Sequence, residues 1–232
     1  MKNWHFFVPF VLQKLIWIPF RLLFIFCGHI EIKGLEHLKG LKTNVIFATN
    51  HSSEFDVFLV PGSLPMFTRF APMFYTSRER AFYKNSGWRQ RFYGGTFFKA
   101  WGAHPVYAGL NDYDKSLVNH LAILRLRGNL CIFPEGRRTL DGKIQEGKGG
   151  VAYLAYKTGR PIVPVYLGGT FRLSPADFFR GRRKLSVTYG APIYITPKPG
   201  AAALSPDDFK AYANVVMDRI REMAPKTAET GA

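Results

Sequence analysis

Three short and almost entirely apolar runs constrain the fold of this chain more than any other feature. They are NVIFAT (44–49), NLCIF (129–133) and PIVPVYLG (161–168). A strand gives such a run when helices cover both faces of its sheet. Segments with helical spacing of apolar residues lie between the runs. The order of elements therefore predicts an α/β fold with a mixed, largely parallel sheet flanked by helices.

Weaker patterns add further elements to this outline. Additional strands are predicted in HIEIKGLEHL (29–38), FTRFAPMF (67–74), HPVY (104–107) and LSVTYG (185–190). Helices are predicted in residues 112–128, 148–159 and 205–223, with one or two more within 77–101. No internal boundary is visible. We expect an N-terminal segment (1–28), one domain over residues 29–223 and a disordered tail (224–232).

The N-terminal segment is the compositional outlier, being rich in Phe, Trp, Leu and Ile. A membrane-spanning helix needs ~20 uninterrupted apolar residues, whereas Pro9, Gln13, Lys14, Pro19 and Arg21 interrupt this segment. Lys14 and Arg21 share one face if the segment is helical. The pattern favours helices that lie in the membrane interface; a spanning or re-entrant helix and an ordinary buried helix are the alternatives.

The formal charge of +16 requires a partner such as a nucleic acid, an anionic membrane or an acidic protein. Cations interleaved with aromatic residues form two clusters, one from Arg78 to Arg91 and one from Arg180 to Lys184. No nucleic-acid-binding motif accompanies them. An anionic lipid surface beside the apolar N-terminus is the better match, and an acidic carrier protein could use the same clusters. We expect no nucleic-acid partner.

The polar stretch NHSSEFD (50–56) follows the first apolar run. His51 could contact Asp56 if the histidine lies in the turn ahead of a helix and the aspartate lies in its first turn. Ser52 or Ser53 could cap that helix. A loop imidazole that is bonded only to the backbone is the simpler alternative on this stretch alone.

A second polar stretch, FPEGRRT (133–139), begins where the NLCIF run ends. The carboxyl ends of strands in an α/β sheet are the usual place for ligands. Gly136 would let the backbone approach a bound group, and Arg137 and Arg138 suit phosphate oxygens. Lys148 is a further candidate for binding phosphate, although it could simply be a solvated residue at a helix start. A solvated charged turn is the alternative for the whole stretch.

Together these blocks resemble the glycerolipid acyltransferase family, which includes the 1-acyl-glycerol-3-phosphate acyltransferases. The resemblance covers roughly residues 29–190 and rests on NHSSEFD, FPEGRR and PIVPV in this order and spacing. It implies that His51 and Asp56 are the catalytic pair and that Glu135 and Arg138 bind the polar head of the acyl acceptor. Asn50, as the first residue of its motif, is assigned to substrate binding with them.

One part of the family pattern is absent. Where relatives carry an arginine that holds the acceptor phosphate, WGAHPVYAG (101–109) offers Tyr107 or Ala108. Lys99, Arg137 or Lys148 could compensate, or the acceptor could carry another head group. Arg137 also replaces the threonine of the family motif.

The residues support a direct mechanism in which His51 removes the proton of a substrate hydroxyl as it attacks a thioester. Backbone amides near Gly136 are candidates for stabilising the oxyanion. We therefore predict a membrane-associated enzyme that acylates a lysophospholipid, with lysophosphatidic acid the leading acceptor and acyl-CoA or acyl carrier protein the donor. No cofactor and no metal are expected.

The predicted location is the cytoplasmic face of the cell (inner) membrane, with the protein monotopic or peripheral. Another lyso-lipid acceptor, such as a lyso-aminolipid, is the alternative within the class. A non-enzymatic basic module that binds membranes is the alternative outside it.

Overall fold

The computed structural model describes residues 4–78, 96–107, 109–110, 112–196 and 204–225. Within these ranges the strands form a single sheet in the order β1-β7-β6-β2-β5-β3-β4. The strands are β1 (Glu31–Lys33), β2 (Ile46–Thr49), β3 (Met73–Ser77), β4 (Ala103–Pro105), β5 (Asn129–Ile132), β6 (Ile162–Gly168) and β7 (Ser186–Tyr189).

The sheet is mixed and largely parallel, as predicted. Its central strand, β2, pairs in parallel with both β5 and β6, and β3 pairs in parallel with β5 and β4. Only the β6–β7 pair is antiparallel among the described strands, and β1 extends the sheet beside β7. Every residue of β2 and β5 is buried, which explains why these strands read as continuous apolar runs.

Helices cover both faces of the sheet. They are α1 (Trp4–Phe26), α2 (Asp56–Ser63), α3 (Thr96–Trp101), α4 (Tyr113–Ser116), α5 (Val118–Arg125), α6 (Gly150–Thr158), α7 (Pro175–Phe179) and α8 (Pro206–Glu222), with a 3₁₀ turn at Leu35–Leu38. Successive residues of a strand point to opposite faces. Ile46 therefore joins the core beneath α5, α6 and α8, whereas Phe47 joins the core beneath α1, α2 and α3.

The N-terminal segment forms one continuous helix, not the separate interfacial helices that its prolines suggested. Gln13, Trp17 and Arg21 lie four residues apart and therefore face the domain together. Gln13 Nε2 donates to Met73 O at 2.7 Å, Trp17 Nε1 donates to Leu64 O at 3.0 Å, and Arg21 Nη1 donates to Gly62 O at 3.1 Å. Arg21 is thus an inward anchor of α1. Residues 6–26 are long and apolar enough to cross a membrane by length and composition alone.

Three predicted elements are wrong in their extent. The strand predicted in 29–38 is limited to β1, and a 3₁₀ turn follows it at Leu35–Leu38. The helix predicted over 112–128 is divided into α4 and α5 at Leu117, because Ser116 O accepts a hydrogen bond from Tyr107 N at 3.1 Å outside the helix. The strand predicted over 67–74 begins only at Met73, since a turn precedes it in which Thr68 N donates to Pro65 O at 3.0 Å.

Some predictions fall on parts of the chain that lie outside the described residues. They include most of the basic cluster between Arg78 and Arg91, part of the helical region 77–101, and residues 226–232 of the predicted tail.

Candidate active site

The two polar stretches lie side by side at one edge of the sheet. The NHSSEFD stretch follows β2, and the FPEGRRT stretch follows β5, which is the parallel neighbour of β2. Parallel strands end at the same edge of a sheet, so the two loops leave the core next to each other. They are joined by a backbone hydrogen bond in which Thr139 N donates to His51 O at 2.8 Å.

The predicted contact between His51 and Asp56 is present. His51 Nδ1 lies 2.9 Å from Asp56 Oδ2. The same oxygen accepts hydrogen bonds from Ser52 N at 2.7 Å and Ser53 N at 2.8 Å, and the exposed fraction of the aspartate is 0%. Neither serine side chain caps α2. Instead, the carboxylate at the start of the helix binds the loop amides, and these charge-assisted bonds fix the oxygen that faces the imidazole.

The imidazole ring of His51 is held on its face as well as on its edge. It stacks on the ring of Phe133, with centroids 4.0 Å apart and an interplanar angle of 21°. The side chain is 19% exposed. Its Nε2 makes no hydrogen bond to the residues that the structure describes, so Asp56 fixes one ring nitrogen while the other remains open to a substrate. The alternative of an imidazole bonded only to backbone is wrong.

Glu135 has a different environment from the one predicted. The residue is 4% exposed, and its two carboxylate oxygens accept hydrogen bonds from His51 N at 2.8 Å and Gln145 N at 3.0 Å. Burial raises the pKa of Glu135, while these two N–H donors act in the opposite direction. This carboxylate points inward and ties the two loops together, a role that the sequence did not predict, and its contact with an acceptor head group stays a prediction.

Asn50 also binds backbone, and its predicted contact with substrate stays a prediction. Its Nδ2 donates to Leu167 O at 2.9 Å, and its Oδ1 accepts from Leu167 N at 2.8 Å. The side chain is buried and pairs like a backbone group with the end of β6. Each such bond contributes about 1 kcal/mol of stability. Asn50 fixes the start of the His51 loop, and both ends of its amide group are already bonded.

The cationic residues of the second loop are exposed at its rim. Gly136 adopts a left-handed φ of 71°, and a Cβ atom there would lie 3.0–3.2 Å from the side chain of Lys148, which crosses over the glycine. Arg137 and Arg138 are exposed. Arg138 Nη1 donates to Glu54 Oε1 at 2.9 Å, which adds a third link between the loops.

Two residues near this rim differ from expectation. Gly136 N donates to Phe133 O at 3.0 Å, so this amide is not a free donor for an oxyanion, and the neighbouring amides stay the predicted candidates. Lys99 belongs to α3, which leads into the first residue of β4 and therefore lies at the edge where the parallel strands begin. His51 lies at the opposite edge. Lys99 is thus not a substitute for the missing arginine.

Several contributors to the site were not identified as such from the sequence. Glu54, Thr139 and Gln145 have no motif that marks them, and their partners are 84, 88 and 10 residues away in the chain. Phe133 belonged to the recognised motif, although its stacking on His51 was not foreseen. In the described part of the chain, no group of three or more His, Cys, Asp and Glu side chains is placed to hold a metal ion.

Known acyltransferases are similar to this chain in sequence. The family model "Acyltransferase" matches residues 29–168, which is more than half of the chain. A 1-acyl-sn-glycerol-3-phosphate acyltransferase of Limnanthes alba is 30% identical over 166 residues, which cover 71% of this chain and 54% of that protein. A chloroplastic enzyme of the same name from Brassica napus is 28% identical over 62% of this chain and 39% of its own length. The chain thus spans about half or less of the length of these relatives.

The fold also has a solved counterpart. The crystal structure of the 1-acyl-sn-glycerophosphate (LPA) acyltransferase PlsC from Thermotoga maritima has a TM-score of 0.56 and 20% sequence identity, and the match covers 92% of this chain and 82% of that chain. At this identity the likeness establishes the fold. Together with the family match over residues 29–168, it means that this chain belongs to the acyltransferase family.

Proposed function

We propose that this protein transfers a fatty acyl group from a thioester to the free hydroxyl of a lysophospholipid, with lysophosphatidic acid as the leading acceptor. One observation carries the proposal: a histidine held by a buried carboxylate presents its second ring nitrogen beside an exposed cationic turn. The relatives named as 1-acyl-sn-glycerol-3-phosphate acyltransferases support the same acceptor.

The first step of the mechanism is proton removal by His51. Its Nε2 takes the proton of the acceptor hydroxyl as the hydroxyl oxygen attacks the thioester carbonyl. Asp56 keeps the proton of the neutral ring on Nδ1 and stabilises the imidazolium that forms. The tetrahedral intermediate then collapses and expels the thiolate, which recovers the proton from His51. The substrate hydroxyl is the nucleophile, so no acyl-enzyme is required.

The second requirement is a binding site for the acceptor head group. Arg137, Arg138 and Lys148 place three exposed cations around the Gly136 turn. Guanidinium groups bind phosphate through paired N–H donors. We propose that these three residues replace the family arginine that is absent at Tyr107 and Ala108.

The acyl donor is proposed to be acyl-CoA or acyl carrier protein, without a further cofactor. Both donors carry the acyl group on a phosphopantetheine thiol, so the proposed chemistry at His51 is the same for either. The basic surface suits the phosphates of CoA and an acidic carrier alike.

A membrane surface is the proposed source of the acceptor. The outward side of α1 exposes large apolar side chains, namely Phe7, Phe10, Leu15, Ile18, Leu22, Ile25 and Phe26. Phe67, which is 89% exposed, lies beside Lys14 of this helix, with the Lys14 Nζ atom 5.5 Å from its ring centroid. Because polar bonds hold the inward side of α1 against the domain, we propose that the helix lies in one leaflet.

Cations border this apolar side near the end of α1. Phe179 is exposed, and its neighbour Phe178 packs against Phe24 of α1. Exposed cations follow directly at Arg180, Arg182, Arg183 and Lys184. Apolar insertion together with basic residues favours an anionic lipid surface. The two free cysteines, Cys27 and Cys131, are consistent with the proposed cytoplasmic face of the inner membrane.

A panel of acceptors tests the function. Purified protein is mixed with labelled acyl-CoA or acyl carrier protein and with lysophosphatidic acid, lysophosphatidylethanolamine, lysophosphatidylcholine or a lyso-aminolipid. We expect turnover to be highest with lysophosphatidic acid. Preference for another acceptor would support the alternative suggested by Tyr107, whereas liposome binding without turnover on any acceptor would support a non-enzymatic membrane module.

A further inference from the structure

A short segment, residues 144–147, separates the C-terminal helix α8 from the turn that carries Glu135. On one side it supports that turn. Gln145 N donates to Glu135 Oε2 at 3.0 Å, and Lys148 N, directly after the segment, donates to Pro134 O at 2.8 Å. The position of Glu135 therefore depends on the position of this segment.

On its other side, the segment is held by α8. Arg221 Nε donates to Ile144 O at 3.3 Å, and Arg221 Nη2 donates to Gln145 O at 2.9 Å. Gly147 N donates to Asn214 Oδ1 at 2.9 Å. The backbone is in direct contact with the helix, because a Cβ atom on Gly147 would lie 3.0 Å from Met217 Cγ.

A single peptide group connects Arg221 to Glu135. The carbonyl of Ile144 and the N–H of Gln145 are opposite ends of one planar unit, so a bond that orients one end orients the other. Arg221 binds the carbonyl end, and Glu135 accepts from the N–H end. The second oxygen of Glu135 accepts from His51 N at 2.8 Å. Hydrogen bonds linked in this way polarise one another.

We propose that Arg221 is a positioning residue for His51, acting through the 144–145 peptide group and Glu135. The inference rests on the proposed function for its effect on catalysis, but the contacts themselves do not depend on it. Arg221 lies beyond the segment that the family model matches, residues 29–168, so the family motifs do not include it.

This role can be separated from a role in folding. The helix α8 packs through an apolar side that includes Phe209, Val216 and Ile220, all of which are buried. Those contacts do not require Arg221, whose guanidinium lies at the edge of the helix and also pairs with Asp218. Replacement of Arg221 should therefore loosen residues 144–145 while Asn214 still holds Gly147 and α8 stays in place.

The test compares Arg221→Gln with Arg219→Gln. Each removes one cation from the same helix, but Arg219 bonds Glu222 at 2.7 Å and makes no hydrogen bond to segment 144–147. A misplacement of ~1 Å can cost ~100-fold in rate, so partial loosening in Arg221→Gln should lower kcat about tenfold, with KM unchanged within about twofold. Arg219→Gln should match the wild type, and Arg221→Lys should recover part of the loss because its ammonium can still reach one carbonyl.

A double variant tests the connection itself. If Arg221 acts through Glu135, then Glu135→Gln with Arg221→Gln should lose little more kcat than Glu135→Gln alone. If the kcat losses of the two single variants multiplied in the double variant, the inference would be overturned. It would also be overturned by an effect on KM alone, or by an equal loss in Arg219→Gln.

Hydrogen exchange tests the contact without turnover. In the full-length protein without substrate, Arg221→Gln should speed amide exchange in peptides that cover residues 50–56 and 144–147, and Arg219→Gln should not. If the wild type is inactive on every acceptor, the proposed function fails while exchange still decides whether Arg221 positions these loops. Unchanged exchange in both peptides would contradict the inference.

Discussion

The loop at 50–56 and the turn at 133–138 use the same kind of residue in opposite ways. Each follows a buried parallel strand, and each contains a buried carboxylate. Asp56 binds the imidazole of His51, 2.9 Å away, in addition to two amides of its own loop, whereas among the described residues Glu135 binds only backbone amides, one from the His51 loop and one from Gln145. Under the proposed mechanism, this difference gives proton transfer to the first loop and positioning to the second.

The comparison shows that the partner of a buried carboxylate, and not its burial, indicates its task. A carboxylate bonded to a histidine influences the charge and the tautomer of the ring. A carboxylate bonded only to main-chain N–H groups, as that of Glu135 is within the described ranges, holds loops in place. In the second loop, the residues available to a substrate are the cations at its rim.

The largest effect is expected for His51→Ala. Loss of a general base costs ~10²–10⁴ in rate, and we expect the upper part of this range because no other histidine lies in the two loops. Circular dichroism and liposome sedimentation should match the wild type. Loss of folding together with activity would mean that the histidine is structural.

A smaller loss is expected for Asp56→Asn. The amides of Ser52 and Ser53 require an oxygen at the position of Oδ2, so the amide oxygen should still accept the Nδ1 proton of His51. The variant then removes the negative charge but keeps the tautomer, and kcat should fall ~100-fold. Steady-state kinetics against His51→Ala measure the difference. Equal losses of kcat in Asp56→Asn and His51→Ala would contradict the expectation that Asp56→Asn removes the charge but keeps the tautomer.

Glu135→Gln should lower kcat by roughly tenfold to thirtyfold with little change in KM, because an amide can replace only one of the two acceptors. Separate KM values for donor and acceptor are the measurement. A large rise in the acceptor KM at constant kcat would restore the head-group role that the sequence predicted.

For Arg138→Gln, the expected change is a rise of roughly threefold to tenfold in the KM for lysophosphatidic acid, with kcat nearly constant, since the residue is proposed to bind phosphate. Arg172→Gln, which alters an exposed cation outside both loops, is a matched control. An acceptor without a phosphate should be unaffected. Equal changes with both acceptors would argue against phosphate binding by Arg138.

A further expected effect concerns stability and not activity. Burial lowers the pKa of His120, on α5, from 6.5 to about 4. Between pH 6.5 and about pH 4, His120 therefore binds a proton in the unfolded chain but not in the folded protein. The free energy of unfolding should fall as the pH drops through this range, by at most ~1.4 kcal/mol per pH unit. Urea titrations of the wild type and His120→Gln should show a shallower pH slope in the variant. Identical slopes would exclude His120 as the cause.

The sequence alone predicted the buried central strands and the possible contact between His51 and Asp56. Apolar runs record burial on both faces of a sheet, and they located β2, β5 and β6 within one or two residues. The contact between His51 and Asp56 was within reach because its two residues lie in one short loop, where spacing limits the geometry. The resemblance to a family then supplied the order of the motifs.

Only the tertiary structure decided which partners the other polar groups have. Asn50 binds Leu167, 117 residues later, and Glu135 binds the amide of His51, 84 residues earlier. The docking of α1 and the contact of Arg221 with segment 144–147 are likewise long-range. The local sequence pattern reflects burial and backbone preference. A hydrogen bond between distant residues also requires the fold to place their strands side by side.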